Sequence, residues 1–165
     1  MNKPKRKDTR LKDFDYSQTG VYFVTICTHN RHSILSSVSV GGGVLDAPLV
    51  ELTEYGKIAE AVITDINQTY PNIQISKYVI MPNHIHLLIE VENGASGAAS
   101  PTTPANNTLS HLISTFKRFC NKHANTDLWQ RGFYDRVIRD SNDYLAAWQY
   151  IETNPLKRSL DEYFE

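Results

Sequence analysis

Two apolar segments separated by only three residues constrain the fold of this chain more than any other feature. Residues 73–80 (IQISKYVI) and 84–91 (HIHLLIEV) are rich in the β-branched residues that favour strands. The connecting residues 81–83 (MPN) leave room only for a tight turn, so the two segments should pair as an antiparallel hairpin. The sequence therefore predicts a β-sheet that contains this hairpin.

The segments around the hairpin predict an α+β domain. In chain order they are a strand at 20–29, a helix at 54–70 capped by Thr53, the hairpin, an amphipathic helix at 108–124, a short strand within 129–139, and a last helix capped by residues 141–143 and stopped by Pro155. This order favours helices packed against a mostly antiparallel sheet. The buried stripe of the second helix should consist of Leu109, Leu112, Ile113, Phe116, Phe119 and Cys120.

The composition is that of a soluble globular protein. The chain has 165 residues, enough for one domain with its own core, and 41% of them are hydrophobic and 21% charged. Cys27 and Cys120 are far apart in apolar stretches, which predicts buried thiols rather than a disulfide framework or a zinc ribbon. No segment is long and apolar enough to span a membrane, and no apolar signal segment opens the chain, so we expect a cytoplasmic protein.

The low-complexity segments suggest where the domain is bounded and interrupted. Residues 1–13 read as a flexible basic arm and residues 159–165 as a tail. The domain should span residues 14–158, with flexible loops at about 36–48 and 93–107. The first of these loops contains three consecutive glycines, which mark either a loop or a hairpin excursion.

Basic residues are segregated along the chain although the net charge is only −1. The candidates for phosphate contacts lie in the arm, in the 108–124 helix and just after it: Lys3, Lys5, Arg6, Lys7, Arg10, Lys117, Arg118, Lys122 and Arg131. A segregated basic surface suits the phosphate backbone of a nucleic acid. Runs of charge are also typical of ordinary solvated faces, so charge alone leaves both interpretations open.

His84 and His86 stand two residues apart in the second strand of the hairpin. Side chains at positions i and i+2 point to the same face of a strand, so the two imidazoles should lie side by side while Ile85 and Leu87 point to the opposite layer. Two neutral imidazoles at this spacing can chelate a divalent cation. The alternative is a pair of structural histidines that hydrogen-bond to nearby backbone.

Tyr150 lies on the last helix, two residues after Trp148, which is about 200° round an α-helix of 3.6 residues per turn. Tyr150 therefore falls off the apolar stripe, and Asn154 follows one turn later on the same face. These side chains could belong to a site, or they could be an ordinary surface tyrosine and a helix-ending asparagine. Tyr134 and Tyr144 are rival nucleophiles, but Tyr144 falls on the buried stripe and Tyr134 in a loop.

Three blocks of the sequence resemble the REP-associated tyrosine transposases, which are HUH single-tyrosine (IS200-like) transposases. The blocks are YFVTICTHNR (22–31), YVIMPNHIHLLIEV (78–91) and WQRGFYDRVIRDSNDYLAAWQYIETNPLKR (129–158). They occur in the family's order, and the combination of PNHIH with YIxxNPxK is far more specific than either motif alone. The first strand lacks the paired glycine and tryptophan of some REP-associated members.

This resemblance implies a ferredoxin-like (RRM-like) antiparallel sheet with helices packed on it, the HUH endonuclease fold. It implies that Tyr150 is the nucleophile, that His84 and His86 bind Mg²⁺ or Mn²⁺, and that Asn154 can complete the metal site. The implied substrate is hairpin-bearing single-stranded DNA, such as REP-like palindromes of the bacterial nucleoid. The implied reaction forms a 5′-phosphotyrosine intermediate and ends in strand transfer.

Two other functions and two oligomeric states stay open at this point. A domesticated module with the same fold would bind nucleic acid without cleaving it. A metal-dependent hydrolase would use water and form no covalent intermediate. The family includes monomers and dimers in which the tyrosine helix serves the partner's histidines, so a monomer and a homodimer are both consistent with the sequence.

Overall fold

The computed structural model describes residues 19–39, 48–92 and 108–157. Its elements are β1 (Gly20–Cys27), a 3₁₀ turn (His29–Arg31), β2 (Ser36–Ser39), β3 (Leu49–Leu52), α1 (Glu54–Thr69), β4 (Ile73–Ile80), β5 (His84–Val91), α2 (Thr108–Ala124), β6 (Tyr134–Ile138) and α3 (Ser141–Thr153).

The hairpin predicted from the three-residue connection is confirmed. β4 and β5 pair antiparallel from Ile73 opposite Val91 to Ile80 opposite Ile85, with a bulge between Ile75 and Lys77. The turn closes where the Met81 N–H donates to the His84 carbonyl oxygen over 2.9 Å. The hairpin therefore begins β5 with His84 and sets which side chains of that strand share a face.

The main sheet has four strands in the order β4-β5-β1-β6. Every neighbouring pair is antiparallel, with β5 and β1 in the centre. Since α1 connects β1 to β4 and α2 connects β5 to β6, the chain runs βαββαβ before α3 is added. This is the ferredoxin-like α+β topology, so the predicted fold class is confirmed.

Helices cover both faces of the sheet. Alternate residues of the central strands, such as Tyr22, Val24 and Leu87, join the larger core with α1 and α2. A smaller cluster on the opposite face contains Leu88 of β5 and Ile151 of α3. Burial on both faces explains why β1 and β5 are nearly continuous apolar segments rather than alternating ones.

Polar contacts at the rim hold α3 in one orientation on its face of the sheet. The Tyr144 hydroxyl donates to Glu90 Oε1 over 2.8 Å. The Lys77 ammonium lies 3.5 Å from Glu152 Oε1 and 4.7 Å from the centre of the Trp148 ring. These contacts add to the burial of the apolar side chains of α3, so the rotation of the helix about its axis is determined.

Several local expectations change in the structure. The segment expected to be a flexible loop at about 36–48, or a hairpin excursion, begins as a strand, because Ser36–Ser39 pairs with Leu49–Leu52 as a second, two-stranded sheet. Phe119 is 39% exposed rather than buried. Helical periodicity predicts which way a side chain points, but it does not predict whether another element covers it. Asp140, one residue earlier than expected, caps α3 by accepting from the Asp143 N–H over 2.9 Å.

Other expectations are confirmed or fall outside the described residues. Thr53 caps α1 by accepting from the Gly56 N–H over 3.2 Å, and both cysteines are buried thiols outside any disulfide. The arm at 1–13, the loop at 93–107, the tail at 159–165 and the middle of the 36–48 segment lie outside the described residues. Within the part of the chain that is described, no helix has the length and apolar character needed to cross a bilayer.

Close packing at the start of α1 gives a test of the fold. A β-carbon on Gly56 would lie 2.1 Å from the Leu35 carbonyl oxygen and 3.2 Å from the Leu52 β-carbon. Alanine normally favours a helix by about 1 kcal/mol over glycine. We nevertheless expect Gly56→Ala to lower the free energy of unfolding, because overpacking against backbone costs about 1–3 kcal/mol.

Urea unfolding followed by circular dichroism measures this effect. Ala61→Gly, at an exposed position of the same helix, is the control and should show only the propensity cost of about 1 kcal/mol. A Gly56→Ala protein more stable than wild type would contradict the packing of α1 against residue 35.

Candidate active site

His84 and His86 form a compact pair at the start of β5, a central strand of the sheet. Their Nε2 atoms lie 3.1 Å apart and their ring centres 4.6 Å apart. The two side chains are 0% and 1% exposed, respectively. The register pairs His84 with Cys27 and His86 with Thr25, so both imidazoles lie on the face of the sheet that α3 covers.

The outer nitrogens of the two rings are held by side chains. His84 Nδ1 lies 2.7 Å from Asn83 Oδ1, and His86 Nδ1 lies 2.9 Å from Thr25 Oγ1. Histidines that bind metals through Nε2 characteristically use Nδ1 for such an orienting hydrogen bond. The two rings are therefore oriented with their Nε2 atoms toward each other.

The separation of the Nε2 atoms fits a shared cation. Two nitrogen ligands about 2.1 Å from one ion and at right angles to each other are about 3 Å apart. Among the described residues, no group of three or more His, Cys, Asp or Glu side chains could hold an ion. Amide or phenol oxygens, water and a substrate oxygen are further ligands that Mg²⁺ and Mn²⁺ accept.

Tyr150 of α3 lies against this histidine pair in the same chain. Its ring centre is 5.3 Å from that of His86 and 5.7 Å from that of Phe23, edge-on in both cases. Phe23 and His86 are themselves 5.1 Å apart. The tyrosine that helical periodicity placed off the apolar stripe thus belongs to an aromatic group around His86.

Asn154 directly follows the last residue of α3. Its backbone keeps helical angles (φ −55°, ψ −43°), so it continues the face of the helix on which Tyr150 lies. The residue is 1% exposed, and its Oδ1 atom is buried. Asn154 therefore ends the helix, as the simpler interpretation expected, and is also a buried amide one turn after Tyr150.

The rival tyrosines have other positions. The Tyr144 hydroxyl donates to Glu90. Burial and this carboxylate raise the pKa of the Tyr144 phenol. The sequence predicted a loop at Tyr134, but this residue begins β6, opposite Thr25. This register puts Tyr134 on the same face of the sheet as the histidines, one strand beyond β1.

Among the basic candidates that the structure describes, three are exposed and Lys117 makes internal hydrogen bonds. Arg118, Lys122 and Arg131 are exposed. Lys117 was expected to be available for phosphate, but its ammonium donates to the carbonyl oxygens of Gln130 and Gly132, and burial lowers its pKa to about 8. Lys117 therefore ties α2 to the segment before β6. The five candidates in the arm lie outside the described residues.

Arg118 and Arg131 border a groove between α2 and residues 127–133, which Trp129 and Phe133 also line. The Gln130 N–H donates to the Cys27 carbonyl oxygen over 3.0 Å. Cys27 of β1 is also the register partner of His84 in the neighbouring strand β5. The groove therefore lies beside the end of the sheet at which the histidine pair is located.

Sequence reasoning gave no site role to Phe23, Thr25 and Asn83, which contact the pair, or to Arg136, which lies over Phe23. The Arg136 guanidinium carbon lies 5.9 Å from the centre of the Phe23 ring. A polar residue such as Thr25 in an apolar central strand was an available signal. Its partner could not be read from the sequence, because 61 residues separate Thr25 from His86.

Comparisons with known proteins agree with this architecture. The family model described as "Transposase IS200 like" matches residues 50–154. The chain is 24% identical to an Escherichia coli REP-associated tyrosine transposase, over 86% of this chain and 70% of that protein. It is 28% identical to an uncharacterised Haemophilus influenzae protein, over 96% of this chain and 93% of that protein.

A solved structure shares the fold. It is a REP-associated tyrosine transposase bound to a REP hairpin, with a TM-score of 0.64 and 19% sequence identity over 93% of this chain and 76% of that chain. The match of the family model covers more than half of the chain and includes β4, β5, α2, β6 and α3. The chain therefore belongs to the IS200-like transposase family.

Proposed function

We propose that this protein is a metal-dependent transesterase that cleaves and rejoins single-stranded DNA, with Tyr150 as the nucleophile. The observation that carries the proposal is the position of Tyr150, edge-on to His86, whose Nε2 atom lies 3.1 Å from that of His84. A phenol beside a pair of imidazoles that fits a divalent cation is the arrangement such a reaction needs.

The proposed substrate is hairpin-bearing single-stranded DNA. Two observations support it: the Escherichia coli relative is a REP-associated tyrosine transposase, and the structural neighbour is bound to a REP hairpin. The exposed Arg118 and Arg131 along the groove beside α2 supply positive charge for phosphate contacts. Half-buried Phe133 adds aromatic surface to the same groove, and Trp129, packed on Phe116, lines it from the core.

In the proposed mechanism His84 and His86 hold Mg²⁺ or Mn²⁺, and Asn154 is the candidate for a further ligand. A bound ion would polarise the scissile phosphate and offset the negative charge that develops in the transition state. Asn83 and Thr25 orient the two imidazoles. Phe23 packs against both His86 and Tyr150, so it limits the positions that the tyrosine ring can take.

The proposed reaction is a transesterification that moves the scissile phosphate from a DNA 3′ oxygen to Tyr150. The phenol oxygen of Tyr150 forms a bond to phosphorus while the bond from phosphorus to the 3′ oxygen breaks. The phenol proton leaves, and the departing 3′ oxygen takes up a proton to become a free hydroxyl. The 5′-phosphotyrosine keeps the energy of the phosphodiester, so attack by another 3′ hydroxyl rejoins a strand without ATP.

The nucleophile assignment can be tested by looking for the covalent adduct. We expect wild-type protein, hairpin-bearing single-stranded DNA and Mn²⁺ to give a protein–DNA species that survives denaturing electrophoresis. Tyr150→Phe should give none, because the ring is kept and the attacking oxygen is lost. Tyr134→Phe, on the same face of the sheet, is the matched control and should still form the adduct.

Three results would contradict the proposal in different ways. An adduct that persists in Tyr150→Phe would move the nucleophile elsewhere. Cleavage by many turnovers without any adduct would indicate a hydrolase that uses water, and DNA binding without cleavage would indicate a module that only binds.

A mixing experiment tests whether one chain supplies the whole site. α3 packs on its own sheet through Ile151 and through the Tyr144–Glu90 hydrogen bond. We therefore expect Tyr150→Phe mixed with the double variant His84→Ala/His86→Ala to remain inactive in the adduct assay. Recovery of activity in the mixture would show that the tyrosine of one chain serves the histidines of another.

Salt dependence tests the groove. Replacing Arg118 or Arg131 with alanine should weaken binding of hairpin-bearing single-stranded DNA and reduce the magnitude of the negative slope of log K against log salt by about 1 for each lost phosphate contact. Lys57→Ala is the control, since Lys57 is exposed on α1 and is 2.8 Å from Glu54. Slopes unchanged from wild type in both arginine variants would exclude the groove as a DNA path.

A further inference from the structure

We propose that Thr25 is a positioning residue whose hydroxyl reverses its hydrogen bond to His86 when a cation binds between His84 and His86. The reversal allows His86 to change tautomer, and His84 keeps its own. This inference rests on the proposed metal-binding role of the two histidines. It follows from three hydrogen bonds that connect four side chains in a row: Asn83, His84, His86 and Thr25.

Asn83 sets the direction of this row. Its Oδ1 atom, 2.7 Å from His84 Nδ1, is a carbonyl oxygen and can only accept. His84 Nδ1 must therefore carry the proton, which leaves the lone pair of the neutral imidazole on Nε2. Across the 3.1 Å to His86, the His84 Nε2 atom is the acceptor.

The direction then propagates to Thr25. His86 must donate from Nε2, so a neutral His86 has its lone pair on Nδ1. The hydroxyl of Thr25, 2.9 Å away, must donate to that lone pair. Without a cation, each of the three hydrogen bonds thus has one donor and one acceptor, and all of them run in the same direction from Thr25 to Asn83.

A cation held by both Nε2 atoms changes only one of the two rings. His84 already offers a lone pair there and stays bonded to Asn83. His86 has to release its Nε2 proton to water and take one from water at Nδ1, so no proton is gained or lost overall and neither ring changes its net charge. The Nδ1–H then donates to Thr25 Oγ1, and the threonine hydroxyl turns from donor to acceptor.

Threonine suits this position because a hydroxyl can both donate and accept and can rotate between the two roles. Thr25 is only 3% exposed, so bulk water does not replace it. A carbonyl or a carboxylate opposite His86 would accept only and would favour one tautomer in both states. Thr25 can therefore hydrogen-bond to His86 Nδ1 both before and after a cation binds.

Valine has nearly the shape of threonine and no hydroxyl, so Thr25→Val isolates the hydrogen bond. Both states of His86 lose a partner, but the loss is greater with the cation bound, because the ion polarises the ring and strengthens its Nδ1–H as a donor. We expect the affinity for Mn²⁺, measured by electron paramagnetic resonance of the free ion, to fall about 10-fold to 100-fold. Thr25→Ser keeps the hydroxyl and should bind Mn²⁺ nearly as wild type does.

Nitrogen NMR of ¹⁵N-histidine-labelled protein reads the tautomers directly and does not depend on activity. Without metal, His84 should be protonated at Nδ1 and His86 at Nε2. With Zn²⁺ as a diamagnetic probe, the His86 proton should move to Nδ1 while His84 keeps its tautomer. A metal-free His86 already protonated at Nδ1 would overturn the inference.

The outcomes separate this inference from the proposed function. Wild-type protein that binds neither Mn²⁺ nor Zn²⁺ at the histidines would refute the metal role, and with it the reversal. Normal Mn²⁺ binding by Thr25→Val would refute the reversal alone and leave the proposed function intact. Reduced binding in Thr25→Val with full binding in Thr25→Ser, at equal thermal stability without metal, would support the role of the hydroxyl.

Discussion

The antiparallel register between β1 and β5 is the constraint on which the rest of the structure depends. It places Thr25 opposite His86 and Cys27 opposite His84. Because side chains alternate between the faces of a strand, a slip of one residue would move both histidines into the core beneath α1 and α2. The apolar residues on the core face of these strands, including Tyr22, Val24 and Leu87, oppose such a slip, since it would turn them away from α1 and α2. The same packing that stabilises the domain therefore determines the face on which the candidate site lies.

The second determinant is the seating of α3. Ala147 and Ile151 are buried against the sheet, and the contacts from Glu90 to Tyr144 and from Lys77 to Trp148 act at its rim. A helix seated by few apolar residues needs such polar contacts to define its rotation. That rotation is what turns Tyr150 toward His86 rather than toward solvent.

Much of this arrangement could be predicted from sequence, because it depends on local periodicity. Strand alternation predicted that His84 and His86 share a face. The angular separation of Tyr150 from Trp148 round the helix predicted that Tyr150 lies off the apolar stripe. The short connection at 81–83 predicted the hairpin. These inferences need only the geometry of a single element or of a tight turn.

What the sequence could not predict depends on contacts between distant segments. Lys117 looked available for phosphate because its angle on α2 points away from the apolar stripe, yet its partners are carbonyl groups more than ten residues downstream. Ser36–Ser39 looked like part of a glycine-rich loop because four residues carry too little periodicity to mark a strand. The partnership of Thr25 with His86 depends on the register between β1 and β5, which no local pattern specifies.

The burial of the histidine pair has a consequence for how a substrate could enter. With the two imidazoles 0% and 1% exposed, a phosphodiester group of DNA cannot touch their Nε2 atoms in this conformation. Productive binding therefore requires the groups that cover the pair to open, and the frequency of opening sets an upper limit on the rate of any chemistry there. Part of the free energy of binding any large substrate at the pair would therefore be used to uncover the two imidazoles.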